Sequence, residues 1–225
     1  RWTGWVVLYK DLDGNPYLHN GKPFYRFKPD AGQLTGDKPA KYLSAKGSGC
    51  RPYFSPLLKQ QGLIDDLKKT GDVIWTEGEK KADSLVIHGF TAIGIAGVDC
   101  WRDGRSTEML PELEAMNWRG RNVFILFDSD VTTKDSVKRA LKALACKLTE
   151  KGANVRIATF PHDLDGTKNG ADDFLVKYGR EALIEVLGIA RPSHKNKKFN
   201  WQDEPEKSHH LSLIHISEPT RPLYI

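Results

Sequence analysis

Two short apolar runs that each stop at acidic residues constrain this chain more than any other feature. Asp72-Val73-Ile74-Trp75-Thr76 runs into Glu77-Gly78, after which residues 79–88 take up a helical pattern. Asn122-Val123-Phe124-Ile125-Leu126-Phe127 runs into Asp128-Ser129-Asp130. Strands apolar without alternation, each followed by a helix, are the mark of a parallel sheet covered on both faces. In such sheets chemistry gathers at the carboxyl ends of the strands. Glu77, Asp128 and Asp130 are all expected there.

The surrounding sequence continues the alternation. Thr91-Ala92-Ile93-Gly94-Ile95-Ala96 supplies a strand ending at Gly97, and residues 107–117 suggest a short helix that tolerates Pro111 near its first turn. Residues 134–151 form the longest predicted helix, with Val137, Ala140, Leu141, Leu144, Ala145 and Leu148 at core spacing and Gly152 as its stop. Residues 154–159 give a fourth strand, and residues 171–187 one or two closing helices broken at Gly179. The pattern β-α-β-α-β-α-β-α predicts an α/β fold, a mostly parallel sheet flanked by helices with right-handed crossovers.

Residues 1–56 differ in kind. They are rich in Tyr, Trp, Phe, Gly and Pro, with turn signals at Asp13-Gly14 and Asn20-Gly21 between β-prone runs, and predict a small antiparallel β module. Its Tyr25, Arg26, Lys28, Lys41, Tyr42, Lys46, Arg51 and Tyr53 mix cations with aromatics. That combination suits single-stranded nucleic acid, and equally a small core with a solvated face. Residues 56–69 predict a helical linker leading into an α/β domain at 57–190. Residues 191–210, with Lys195, Lys197 and Lys198, read as a charged linker or tail.

Asp128 and Asp130 are two apart, so on extended backbone they point the same way and can share one hard cation. Magnesium, with manganese as a substitute, takes oxygen ligands and is commonly held by one or two carboxylates plus substrate phosphates. Asp172 and Asp173 offer a third acidic corner, although aspartates at a helix start also serve as caps. Lys80 and Lys81 oppose the dipole of the helix they begin, which suggests phosphate contact. Gly78 and Gly97 allow close approach of backbone to substrate, or simply turns.

The ordered set Thr76-Glu77-Gly78-Glu79-Lys80-Lys81-Ala82, Gly94-Ile95-Ala96-Gly97, Asp128-Ser129-Asp130 and Gly170-Ala171-Asp172-Asp173-Phe174-Leu175 resembles the motifs of the Toprim domain of topoisomerases and bacterial-type primases. The wording is closest to a Toprim-like branch found in phage and plasmid replication proteins. The resemblance implies a catalytic set of Glu77, Asp128 and Asp130, with Glu77 as general acid or base or a further metal contact. Magnesium is expected at Glu77, Asp128, Asp130, Asp172 and Asp173, with nucleic-acid or nucleotide contacts from Gly78, Lys80, Lys81 and Gly97 at the strand ends and from Arg26 and Lys41 of the N-terminal module. The implied activity is nucleotidyl transfer on single-stranded DNA, as in a primase. A nuclease using the same site and a non-catalytic DNA-binding module stand as alternatives. No zinc ribbon accompanies the motifs, and no G-x-x-x-x-G-K-[ST] occurs. Asp163-Leu164-Asp165-Gly166 lacks the further ligands of a calcium loop, and His162 beside Pro161 reads as structural.

The 225 residues, 39% hydrophobic, suffice for a buried core, and no apolar run approaches the ~20 residues that cross a bilayer. Cys50, Cys100 and Cys146 form no Cys-x-x-Cys, which fits a reducing cytoplasm, bacterial or phage-infected; Cys146 is expected in the core of its helix. The chain opens on Arg1, so the lack of a secretory segment carries no weight. Residues 211–225 resemble the translation of a transposase sequencing adapter and are set aside, which implies a fragment that has lost a C-terminal partner such as a helicase domain. The net charge of +5 then belongs to the remainder, because Arg221 and Glu218 cancel.

Overall fold

The sheet is built as the apolar runs require. A computed structural model describes residues 3–30, 41–69, 71–104, 106–128, 135–160 and 170–188, with the backbone of 191–192. Strands β6 (Val73–Glu77), β7 (Ala92–Ile95), β8 (Asn122–Phe127) and β9 (Asn154–Thr159) are mutually parallel. In β6 four successive residues are buried and in β8 five, as expected where helices cover both faces. Helices α3 (Glu79–Ile87), α5 (Asp135–Glu150) and α6 (Ala171–Gly188) supply that cover. The α/β fold class is as the sequence predicts.

Strand order is β10-β9-β8-β6-β7, where β10 is the two-residue strand Arg191–Pro192. The chain leaves β6 toward β7 on one side and later resumes at β8 on the other. Right-handed crossovers therefore put α3 and α5 on opposite faces, and a crevice opens at the carboxyl ends of β6 and β8. Glu77 ends β6, and Asp128 immediately follows β8. Strand β10 (Arg191–Pro192) pairs antiparallel with β9 at Ile157 and Arg156, so the polar segment expected to begin a tail at residue 191 first adds an edge to the sheet. Its two residues lack apolar character, and only pairing at an open edge makes them a strand.

Before the α/β part, β1 (Gly4–Leu8), β4 (Tyr25–Pro29) and β5 (Leu43–Ser44) form an antiparallel sheet, and β2 (Leu18–His19) and β3 (Lys22–Pro23) a separate hairpin. The hairpin turns on Asn20 and Gly21, at φ of 50° and 73°, where the two left-handed residues match the strand twist. Tyr9, Phe24 and Tyr53 pack edge to face, with centroids 5.0 and 5.2 Å from Tyr9, against Ala82 of α3. Tyr53 also exchanges two backbone hydrogen bonds with Gly94 of β7, at 2.8 and 2.9 Å. A Cβ on Gly94 would lie 3.1 Å from the Ala82 Cβ and 3.2 Å from that of Tyr53, so this glycine serves close packing. The N-terminal residues thus share a core with α3, and residues 1–195 form one unit.

Three local expectations change. The helical linker at 56–69 is two short helices, α1 (Leu57–Gln60) and α2 (Ile64–Lys68), separated at Gly62 with φ of 70°. The helix expected at 107–117 reduces to α4 (Pro111–Glu114), because Pro111 can only begin a helix and the flanking residues turn instead. Cys146 is exposed: it follows Leu144 and Ala145 and falls just past the buried stripe. Gly179 breaks α6 as expected, at φ of 78°.

The amino ends of the strands are closed by Arg121, only 2% exposed. Its guanidinium donates to the carbonyls of Gly71, Leu67 and Asp66 at 2.8 to 3.0 Å. These include carbonyls at the end of α2 that have no intrahelical donor. No helix among the described residues is long and apolar enough to cross a membrane.

Candidate active site

Where β6 ends, the backbone turns sharply so that α3 can begin. Gly78 adopts φ 103° and ψ 147°, a conformation that disfavours side chains, and its amide donates to the Ile95 carbonyl at 2.8 Å. Glu77 is thereby held beside the first turn of α3. A cavity of about 380 Å³ opens here, lined by Glu77, Gly78, Lys81, Asp128 and Asp172 on the α/β side and by Arg26 of β4 and Lys41 and Tyr42, just before β5, on the other. Residues far apart in sequence, from β4, β6, α3, β8 and α6, meet around one space at the topological switch.

The geometry is tightest around Gly170. A Cβ built there would meet Lys81 Cε at 2.7 Å, Asp172 Oδ1 at 2.8 Å and Asp128 Oδ1 at 3.4 Å. Both carboxylates and the lysine therefore converge on a spot that only glycine leaves open. The Lys81 ammonium pairs with Asp128 Oδ1. Asp172 Oδ1 is buried and accepts no hydrogen bond among the described residues. A carboxylate oxygen removed from water without a donor is costly, and a cation is the ligand that offsets the cost.

The donor set is all oxygen, which suits magnesium or manganese rather than zinc. Asp128, Asp172 and Glu77 are the described residues that could hold such an ion, with two of them already directed at one point. No three His, Cys, Asp or Glu side chains among the described residues stand together as a finished ligand group. Asp130 lies outside the described residues, as do Ser129, His162, the 163–166 segment, Lys195, Lys197, Lys198 and residues 211–225.

Other expected site residues divide. Lys80, Lys81, Arg26, Lys41 and Gly78 line the cavity. Asp173 is exposed and does not line it, because on a helix the residue after Asp172 points away. Gly97 is not on the cavity either; its neighbour Ala96 is, and a Cβ at Gly97 would meet the Cys100 Sγ at 3.7 Å.

Arg26 has a second commitment. Its Nη1 pairs at 2.6 Å with Oε1 of Glu79, which is 2% exposed, and the Tyr9 hydroxyl donates to the same oxygen at 2.6 Å. The guanidinium also stacks on Tyr42, 4.4 Å from the ring centroid. Burial, then the charge of Glu79, raises the Tyr9 pKa, so the phenol stays a neutral donor. Glu79 is the residue that sequence reasoning overlooked. An acid in the first turn of a helix looks like an ordinary dipole partner, and no signal within its own segment announces that Tyr9 and Arg26 bury it.

Comparison with known structures gives the fold a relative. The crystal structure of the Aquifex aeolicus primase zinc-binding and RNA polymerase domains superposes with a TM-score of 0.53, covering 84% of this chain and 40% of that one, at 19% identity. At that identity the likeness is one of fold alone. An uncharacterized protein of Picosynechococcus sp. is 30% identical over 142 residues, which cover 58% of this chain and 13% of that protein. The chain thus matches only a small part of its much longer relative. Residues 65–182, more than half of the 225 and including Glu77, Asp128 and Asp172, match DUF3854, a domain of unknown function, and the chain belongs to that family.

Proposed function

We propose that this chain carries a Toprim-type, divalent-metal-dependent phosphoryl-transfer site of a DNA replication protein of a phage or plasmid, and that the reaction is primase-like nucleotidyl transfer on single-stranded DNA. The observation that carries the proposal is the convergence on Gly170 of Asp128, Lys81 and the Asp172 oxygen that has no donor among the described residues, in a cavity that Glu77 also lines. The primase-like fold supports it.

Asp128 and Asp172 would hold magnesium or manganese, with Asp130 following on the same segment. The ion would neutralise charge on the phosphoryl oxygens as the transfer proceeds. Glu77 sits at the rim as the base that takes the proton from an attacking hydroxyl. Lys81 exchanges its pairing with Asp128 for a substrate phosphate, and Lys41 adds positive charge, while Arg26 lines the cavity with its charge balanced by Glu79. Gly78 keeps the wall free of side chain where the nucleotide enters.

Labelled nucleotides incubated with the protein and a single-stranded template, in magnesium or manganese, test the reading. Extension products that vanish in Asp128→Asn support it. Template shortening instead identifies a nuclease, and neither product from a folded protein that contains the metal contradicts it.

A further inference from the structure

The N-terminal sheet presents a second groove, of about 400 Å³, that shares Tyr42, Glu79 and Lys80 with the candidate active site. It is lined by Trp5 through Leu8 of β1 and by Lys28 of β4. Trp5 lies directly opposite Lys28, and Val7 opposite Arg26, so alternate residues of both strands present one surface. Trp5 is 67% exposed, an unusual state for the largest apolar side chain. The Lys80 ammonium lies 5.5 Å from the Trp5 ring centroid.

Charge points to the occupant. Lys10, Lys28 and Lys80 all line the groove, and the Lys80 charge, then desolvation, and after these the Lys41 charge, lower the Lys28 pKa. Like charges brought together across a groove are unfavourable until an anion lies between them. The two acids in the groove wall have partners of their own: Glu79 accepts from Arg26 and Tyr9 through Oε1, and Asp83 accepts from the Tyr53 hydroxyl at 2.9 Å. An exposed indole with Lys80 over one face and Lys28 directly across the strand pair fits an unpaired base stacked on the other face with flanking phosphates. A duplex keeps its bases stacked and cannot offer one.

We propose that a single strand of nucleic acid lies along the β1 and β4 face, with a base stacked on Trp5 and phosphates on Lys28 and Lys80, and runs past Tyr42 into the candidate active site. The inference rests on the phosphoryl-transfer reading for its direction; Trp5 and Lys28 lie outside the 65–182 family match, and Lys80 is shared with the candidate active site.

Anisotropy of fluorescein-labelled oligo(dT), measured on the full chain in EDTA, tests the groove without the metal site. Trp5→Ala is expected to bind about tenfold more weakly and Trp5→Phe to retain most of the affinity. Lys28→Gln and Lys80→Gln are each expected to lower the slope of log affinity against log salt by about 0.7. Trp5 is exposed enough that its truncation should leave the fold intact, and circular dichroism checks this. Manganese binding is followed on the same variants. Weakened oligo(dT) binding by Trp5→Ala supports the groove whether or not manganese binds, while absent manganese binding counts against the catalytic reading alone. A wild-type chain that does not bind oligo(dT), a Trp5→Ala chain that binds it undiminished, or equal affinity for duplex overturns the groove.

Discussion

Glu79→Gln tests how the N-terminal sheet is fastened to the α/β part. The wild-type carboxylate is 2% exposed and accepts from both Arg26 and Tyr9, and Arg26 is 13% exposed, so water screens the pair weakly. The amide can still accept a hydrogen bond, but Arg26 is left as a buried charge without a counter-charge. Breaking a buried pair from one side costs about 3–5 kcal/mol, and the retained acceptor puts this variant near about 3 kcal/mol. Arg26→Met leaves Glu79 uncompensated and should cost a similar amount. In the double variant neither charge remains, so its loss should fall well short of the two single losses combined. Urea unfolding followed by circular dichroism reads this directly: with an m-value of about 2 kcal/mol/M, the Glu79→Gln midpoint should drop by about 1.5 M. A shift under about 0.5 kcal/mol, or a strictly additive cycle, would refute the view that this pair ties the two parts together.

Other perturbations have equally definite outcomes. Arg121→Met removes side-chain hydrogen bonds to three backbone carbonyls and should destabilise by on the order of 3 kcal/mol in the same unfolding assay; an unchanged midpoint would show that water replaces them. Burial raises the Asp83 pKa, against hydrogen bonds from Ser55 and Tyr53, so the folded state holds that proton more tightly than the unfolded chain. Its stabilising share is complete below the ordinary pKa of 3.8 and is lost as pH rises through the raised value. Asp83→Asn should therefore gain stability relative to wild type across that window, and a difference independent of pH would count against the assignment. Lys81→Met removes the ammonium now paired with Asp128, so isothermal titration should show tighter manganese binding, while any nucleotide-transfer activity falls; weaker binding would mean that Lys81 does not compete with the ion.

The sheet was legible because its signals are local and strong. Val73, Ile74 and Trp75 in one strand and Val123 through Phe127 in another can be buried only between two helical layers. Asn20-Gly21 and Gly179 work the same way, since each residue forces its own backbone state. What escaped prediction depends on partners remote in sequence. Arg191 and Pro192 become a strand only because the β9 edge is open. Glu79 becomes buried only because Arg26 and Tyr9 arrive from the other sheet. In the site, strand-end acids were visible at Glu77 and Asp128, but spacing alone left Asp172 and Asp173 equivalent. The helix phase of α6 and the missing side chain at Gly170 separate them.

Manganese binding, measured by electron paramagnetic resonance on wild type, Asp128→Asn, Asp172→Asn and Glu77→Gln, tests the central claim most directly. The site described here predicts an ion bound by wild type, with affinity at least about tenfold weaker in each aspartate variant and a smaller loss in Glu77→Gln. Wild-type affinity retained by both aspartate variants would contradict it.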